Sequence, residues 1–547
     1  MLAAMRASSA CVLLLTSGCF SGADIDLAES SSQATTGEPL GSTGLNPTTG
    51  LDLTSTSTGM STGPGMDTGA GTTDIGTQES GGSESSGEPP ASTPGLRAEY
   101  YGTYIDPVID RVDAAIDFDW GDGPPAKGVG VNRFSIRWTG QLVPASTGPH
   151  TIISETDDGV RVWLGDKLVI DDWNGHFVTR NEATVDLVVD VPVAIRVEYF
   201  ELDMGASARL KWSSPTLTEE VIPEANLIAA EAPSGLPPPK PPYTNPVEAF
   251  DCPDPGVFAL DMPDGPHFYK LCTGGKFPIR HSRDLVLWND TGAVVLPNGK
   301  PAWAANGGRN WAPELHRVGD KFIVYFTTVN GANVLSIGAA HATDPLGPYT
   351  ETDGPLVQHP QGVIDATYFY SGGKPYLIYK IDGNSQGKPT PMLIRELRAD
   401  GLEFANGSAE VQLLVNQGGT WEGGVVEAPW VVKRDGFHYM FYSGNVYDHR
   451  YRTGVARSKN LMGPYEKLGP PILGNNERWV GPGHGTVISV QGLDYFVYHA
   501  WTNAGNGTHD DAKGRHVLVD RVVYEGGWPR IHDGTPSRKK QLWPGVP

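Results

Sequence analysis

Val426-Glu427-Ala428-Pro429-Trp430-Val431-Val432-Lys433-Arg434-Asp435-Gly436-Phe437-His438-Tyr439 carries the pattern that decides the fold. An acid heads a short apolar run, a Lys/Arg/Asp/Gly turn follows, and the chain returns as a strand rich in aromatic residues. Working outward, four further acid- or histidine-centred segments lie beyond residue 245. They are Pro253-Asp254-Pro255, Trp311-Ala312-Pro313-Glu314, Ile364-Asp365-Ala366 and Gly481-Pro482-Gly483-His484-Gly485. With Asp254, Glu314, Asp365, Glu427 and His484 as anchors, the spacings are 60, 51, 62 and 57. The first copy reaches its return strand, His267-Phe268-Tyr269, through a longer turn. A strand-built repeat of this period predicts propeller blades. One ionisable group heading each blade predicts five such groups around one central cavity, which describes an active site.

The 547 residues exceed one ordinary domain. Lys+Arg is 41 and Asp+Glu is 63, a formal charge of −22 that argues against nucleic acid or an anionic membrane surface as partner. Frequent Gly (69) and Pro (45) suit many short strands joined by turns. Alternating Val/Ile/Tyr/Phe runs outnumber helical periodicity beyond residue 95, so the class is all-β.

The chain opens with an address. Arg6 precedes the apolar stretch Ala10 to Leu15, the length of a secretion signal and too short for a membrane span. Leu15-Thr16-Ser17-Gly18-Cys19 resembles a bacterial lipobox, which implies residues 1–19 as a lipoprotein-type signal and Cys19 as the lipidated first residue. Ordinary cleavage nearby is the alternative, and either route leads out of the cytoplasm. Residues 20–94 are Ser, Thr, Gly and Pro with scattered acids, and no Lys or Arg occurs between Arg6 and Arg97. Such a composition predicts a disordered stalk. Residues 231–244, rich in proline, read as a stiff spacer between two folded units. With Cys11 in the signal and Cys19 lipidated, Cys252 and Cys272 remain, facing each other across the first hairpin of the first blade. A disulfide and two buried thiols both stay open as readings.

Residues 95–230 alternate cleanly around Asp-Gly and Gly-Asp turns, as an antiparallel sandwich requires. The run from Ser154-Glu155-Thr156-Asp157-Asp158-Gly159 to Trp173, followed by Ile195 to Phe200 and Ala208 to Trp212, resembles the PA14 family. The resemblance implies a β-sandwich that accompanies secreted glycosidases, often as a carbohydrate-binding module. It also marks Asp157 and Asp158 as candidate Ca²⁺ ligands, although Asp-Asp-Gly is equally a good turn.

Glycosidic hydrolysis needs an acid to protonate the leaving oxygen and a carboxylate on the opposite face. A third carboxylate nearby raises the acid's pKa by like-charge repulsion. Asp254, Asp365 and Glu427 supply that set from three blades. Residues 245–547 resemble glycoside hydrolase family 43, an inverting five-bladed β-propeller family. The match runs through Cys252-Pro253-Asp254-Pro255, Ser282-Arg283-Asp284-Leu285-Val286-Leu287-Trp288, Trp311-Ala312-Pro313-Glu314, Val363-Ile364-Asp365-Ala366 and Val426-Glu427-Ala428-Pro429. Ala366 replaces a commoner Pro and Ala428 the usual Gly. The resemblance implies Asp254 as general base, Asp365 as pKa modulator and Glu427 as general acid, with Glu314 shaping the pocket wall.

Trp311, His484 and Arg515 are the expected substrate-binding residues, with Arg521 as a competitor for the arginine role. Catalysis of this kind requires no cofactor. The resemblance adds a structural Ca²⁺ as an expectation, in the propeller cavity or at Asp157-Asp158. The partner expected is a plant cell-wall polysaccharide or oligosaccharide. Arabinan or arabinoxylan side chains are favoured over xylosides because the chain stops at Pro547, straight after the fifth blade, whereas many β-xylosidases of the family carry a further sandwich. A β-D-xylosidase and a catalytically silent surface carbohydrate-binding protein remain the alternatives. A fructan- or sucrose-cleaving propeller is disfavoured, because Arg283-Asp284 precedes Leu285 and no Glu-Cys pair occurs.

Overall fold

A computed structural model describes residues 92–545, apart from 104–105 and 306–308. The expected signal, Cys19 and almost all of the expected stalk lie outside the described residues.

The first folded unit is a sandwich of two antiparallel sheets. In the seven-stranded sheet, Leu96–Gly102, Phe134–Leu142, Val193–Glu201 and Val160–Leu164 are hydrogen-bonded neighbours, with Asp106–Asp113 and Lys167–Asp172 at the edges. Leu227–Ala229 pairs with the end of Phe134–Leu142. The five-stranded sheet centres on Gly148–Asp157 and Ala206–Ser214. Alternation sets the layers: Ala206, Ala208, Leu210 and Trp212 are buried, while Arg209 and Lys211 between them pair with acids on the outer face. Trp138, Trp212, Tyr100 and Tyr199 fill the core between the sheets.

Five four-to-five-stranded antiparallel sheets follow in chain order, each built from consecutive strands. Their innermost strands are Gly256–Met262, Trp311–Val318, Val363–Ser371, Val426–Arg434 and Trp479–Val490. Each innermost strand packs on the next, and the fifth packs on the first, closing a five-bladed propeller. An apolar cluster fills each gap between blades. Phe277 and Ile279 meet Phe322 and Phe326 between blades one and two, and Tyr439 and Phe441 meet Phe496 and Leu518 between four and five. At about 1.5–3 kcal/mol for each large side chain removed from water, these seams hold the ring together.

Closure between the ends is made by the backbone. Tyr243 and Gln541 exchange N–H···O bonds, Val247 N–H donates to Val517 O, and Cys252 N–H donates to Arg515 O. Asn245 is fully buried and donates to Val519 O, Asp520 and Ser537. These bonds carry Asp254 to the strand that begins at Arg515. The disulfide reading holds: Cys252 and Cys272 are bonded, with Cα atoms 5.2 Å apart.

The proline-rich segment does not hold the two units apart. Arg137, on the outer face of the sandwich, donates to Ser234 Oγ, Leu236 O and Pro237 O, and pins the segment against the sheet. Trp173 and Phe200 of the sandwich share one apolar cluster with Tyr243, Val490 and Trp543 of the propeller. The Trp173 indole N–H donates to Lys240 O at 2.9 Å. Composition alone reads proline as a spacer; an arginine reaching from another element converts it into an interface.

Candidate active site

One residue at the head of each innermost strand lies in the left-handed region: Asp254 (φ 54°), Ala312 (43°), Asp365 (57°), Ala428 (56°) and His484 (47°). Such values are uncommon outside glycine and concentrate where structure serves function. In four of the blades the strand register slips at the same place, between Trp311/Glu314, Ile364/Thr367, Glu427/Trp430 and Val480/Thr486. A bulge of this kind re-aims side chains next to a site.

The equivalent positions are therefore Asp254, Ala312, Asp365, Ala428 and His484. Glu314 stands two residues past its blade's equivalent position, so the expectation that all five anchors surround one cavity is corrected to four of them, Asp254, Asp365, Glu427 and His484. The Glu314 carboxylate contacts His316 Nε2 at 2.9 Å instead. Glu427 precedes its blade's equivalent position by one and still faces inward.

A cavity of about 290 Å³ is lined by residues of all five blades, with Asp254, Asp365, Glu427, Trp311, His484 and Arg515 among them. All six expected residues thus meet in one place, and Arg515 rather than Arg521 supplies the cation.

Asp254 is the most heavily bonded of the acids. Its Oδ2 accepts the Thr273 hydroxyl at 2.6 Å, and its Oδ1 accepts Arg515 at 3.2 Å and lies 3.3 Å from His484 Nδ1. Thr273 is itself fixed by the Ala312 N–H at 2.8 Å, so the second blade orients the first blade's acid. Burial favours the neutral carboxyl, but Arg515 and His484 outweigh it and hold Asp254 well below the usual carboxylate range. His499 accepts the Asp254 N–H at Nδ1. Burial and then Arg515 push its pKa far down, so it stands as a neutral ring beside Asp254.

Asp365 has the opposite environment. Its Oδ2 accepts the Ala428 N–H at 3.0 Å. Burial, reinforced by Glu427 and Asp254 against His484 and Lys380, raises it to about 7. Glu427 accepts Tyr451 OH at Oε1 and Lys380 Nζ at Oε2, both at 2.8 Å. Burial opposes the charge on His484, yet Asp254, Asp365 and Glu427 raise its pKa above the ordinary imidazole value. Three carboxylates in one cavity are thus held in different environments.

Sequence reasoning missed Thr273, Lys380, Asp382, Asn384, Tyr447 and Tyr451. Lys380 left a signal: it interrupts the apolar run Tyr376-Leu377-Ile378-Tyr379 in the second strand of blade three. Tyr447, 62 % exposed, stands at the cavity mouth with Arg515 over its ring at 5.4 Å.

In the sandwich, Asp157, Asp158 and Glu201 each present one ligand oxygen, all within 4.8 Å of one another. Among the described residues this is the one group of three or more such ligand atoms so placed. Asp158 accepts the His176 and Leu202 N–H groups, each at 2.8 Å. Burial and then Asp158 push Glu201 up to about 9. Oxygen donors and an excess of negative charge fit a hard divalent cation. Sequence reasoning missed Glu201, which comes from another strand.

Comparisons with known proteins agree with this geometry. The PA14 domain model matches residues 92–226. The anti-sigma-I factor RsgI3 of Acetivibrio thermocellus is 37% identical over 141 residues, 25% of this chain and 22% of its own, so the chain spans about a fifth of that relative. The extracellular exo-alpha-(1->5)-L-arabinofuranosidase ArbA of Cellvibrio japonicus is 23% identical over 313 residues, 49% of this chain and 84% of its own. A probable arabinan endo-1,5-alpha-L-arabinosidase C of Aspergillus clavatus is 27% identical over 306 residues, 51% of this chain and 91% of its own. The model of glycosyl hydrolases family 43 matches residues 243–529, more than half of the chain, and with the propeller and its acid-lined cavity the protein belongs to that family.

Proposed function

We propose that the protein is an exported, inverting glycoside hydrolase acting on L-arabinofuranosyl linkages of arabinan or arabinoxylan. The observation that carries the reading is the meeting, in one cavity, of a carboxyl held anionic at Asp254 with a carboxyl of raised proton affinity at Asp365, beside Glu427. The arabinofuranosidase and arabinanase named among the relatives support the sugar. The extracellular relative and the Cys252–Cys272 disulfide support export.

Asp254 takes a proton from water as the water oxygen bonds to the anomeric carbon. On the opposite face the glycosidic C–O bond breaks, and Glu427 delivers a proton to the leaving oxygen. Asp365 keeps that acid supplied at neutral pH, while Arg515 and His484 hold the base unprotonated. Trp311 offers a rigid apolar face to the sugar's C–H patch. Inversion at the anomeric carbon follows from a single displacement.

Two further parts belong to the same reading. Cys19, read as a lipobox cysteine, anchors the chain at the cell envelope. Asp157, Asp158 and Glu201 hold Ca²⁺ in the sandwich, which binds the same polysaccharide as the propeller. Product analysis on linear arabinan, arabinoxylan and xylo-oligosaccharides, with Glu427→Gln as control, tests the proposal. Release of arabinose or arabino-oligosaccharides supports it. Xylose as the main product replaces it with the β-xylosidase reading, and no release from any of the three leaves a silent binding protein.

A further inference from the structure

Lys380 has no surface exposure at all, an unusual state for a lysine. Its ammonium donates to Glu427 Oε2 and to Asp382 Oδ1, each at 2.8 Å. Burial favours the neutral amine, but Glu427, Asp382 and Asp365 outweigh it and raise the pKa, so the charge is kept. Glu427's other oxygen is taken by Tyr451, a fully buried phenol that reaches in from the loop after the second strand of blade four. Both Glu427 oxygens therefore accept from buried protein donors.

The charges around the cavity show why the arrangement works. The groups facing the Asp365–Glu427 pair are Asp254 from blade one, Lys380 and Asp382 from blade three, Tyr451 from blade four, and His484 and Arg515 from blade five. Arg515, Lys380 and, when protonated, His484 supply three positive charges. Asp254, Asp365, Glu427 and Asp382 supply four negative charges when all are ionised. The cluster is neutral when the Asp365–Glu427 pair holds one proton. Without Lys380 it is neutral only with a second proton bound.

We infer that Lys380 is a positioning residue for the acid half of the reaction. It clamps Glu427 against the cavity wall and limits the Asp365–Glu427 pair to one readily released proton. In turnover that proton goes from the pair to the leaving oxygen as the glycosidic bond breaks. The proton that Asp254 takes from water returns to solvent, and solvent restores the pair.

The inference rests on the proposed hydrolase, and its test separates the two. Lys380→Met removes the charge at similar length. The alkaline limb of kcat/KM reports loss of the pair's proton, and a nearby cation lowers that pKa. Removing the cation is expected to move the limb up by about 1 unit or more. Turnover of an arabino-oligosaccharide is expected to fall by about 10²-fold or more, the usual contribution of a placed acid. A dinitrophenyl arabinofuranoside, whose leaving group needs no proton, is expected to lose far less. An unmoved or lowered limb, or equal losses on both substrates, overturns the assignment.

Tyr451→Phe removes the other donor without uncovering a charge. It is expected to shift the limb the same way by a smaller amount, and it serves if Lys380→Met does not fold. Infrared titration of the protonated carboxyl, assigned with Asp365→Asn, reads the same upward shift without any substrate. That readout decides on Lys380 even if the sugar has been misassigned: a carboxyl pKa in Lys380→Met or Tyr451→Phe equal to the wild type's overturns it.

Discussion

Two acidic clusters among the described residues are wired differently. In the propeller, Asp254, Asp365 and Glu427 are interleaved with Arg515, His484 and Lys380. In the sandwich, Asp157, Asp158 and Glu201 face backbone N–H groups, His176 and the distant Lys540. On the proposed function, the built-in cations keep Asp254 ionised while the Asp365–Glu427 pair delivers one proton. In the second cluster burial, reinforced by Asp158, pushes Glu201 up to about 9. On the same proposed function, the first cluster moves protons and the second takes a divalent cation from solution.

The largest expected effect separates the clusters by chemistry. Asp254→Asn and Glu427→Gln should each lower kcat on arabino-oligosaccharides by about 10²–10⁴-fold, the usual loss for a placed acid or base. Asp157→Asn should leave that rate unchanged on a short soluble substrate. A steady-state assay with circular dichroism as a folding control checks both, and comparable losses at Asp157 would erase the distinction.

The second prediction uses pH. Asp365, raised to about 7, is protonated below that value and ionised above it. Turnover should therefore fall as pH rises through about 7. Asp254, held well below the usual range, stays ionised on the acidic side, so no matching loss should occur between pH 5 and 7. A kcat/KM profile flat to pH 9 would contradict the environment described for Asp365.

This division was only half legible in the sequence. Asp254, Asp365 and Glu427 could be read because each heads an apolar run at blade spacing. Glu314 was misplaced because register follows backbone dihedrals, and a left-handed Ala312 or Ala428 leaves no mark in residue type. Lys380 was missed because a lysine in a buried strand becomes sensible only once Glu427 of the next blade is known to meet it. Glu201 was missed for the same reason: its neighbours Asp157 and Asp158 lie 44 and 43 residues away along the chain. Alternation and repeats are local properties, whereas charge compensation is not.

The third prediction concerns the sandwich. Glu201 has a folded pKa near 9 against about 4.3 for the free residue. The folded state therefore binds more protons than the unfolded state between those values, and stability falls as pH rises through that window. A bound divalent cation replaces the proton and reverses the loss. At a hundredfold excess over Kd, Ca²⁺ should add about 2.7 kcal/mol, read as a higher melting temperature than in EDTA. Glu201→Gln should abolish the increment. Identical melting with and without Ca²⁺ at pH 8 would make the cluster a plain buried polar core.

The smallest single effect, that of Lys540→Ala, lies where the two units meet. Lys540 Nζ donates to Asn174 Oδ1 at 3.1 Å beside the sandwich cluster. Lys540→Ala should cost only about 0–1 kcal/mol, as for a partly exposed charge. Trp173→Ala, at the buried centre of the same junction, should cost about 3–5 kcal/mol. Denaturant unfolding of the two variants compares them, and equal losses would mean that charge rather than apolar burial joins the units.

The most direct test of the central claim is proton NMR of the first sugar released from linear α-linked arabinan, recorded before mutarotation. An inverting displacement assisted by Asp254 and Glu427 predicts the β-anomer of L-arabinofuranose, free or at the reducing end of an oligosaccharide, as the initial signal. An initial α-anomer, or no arabinose-containing product at all, would contradict the account.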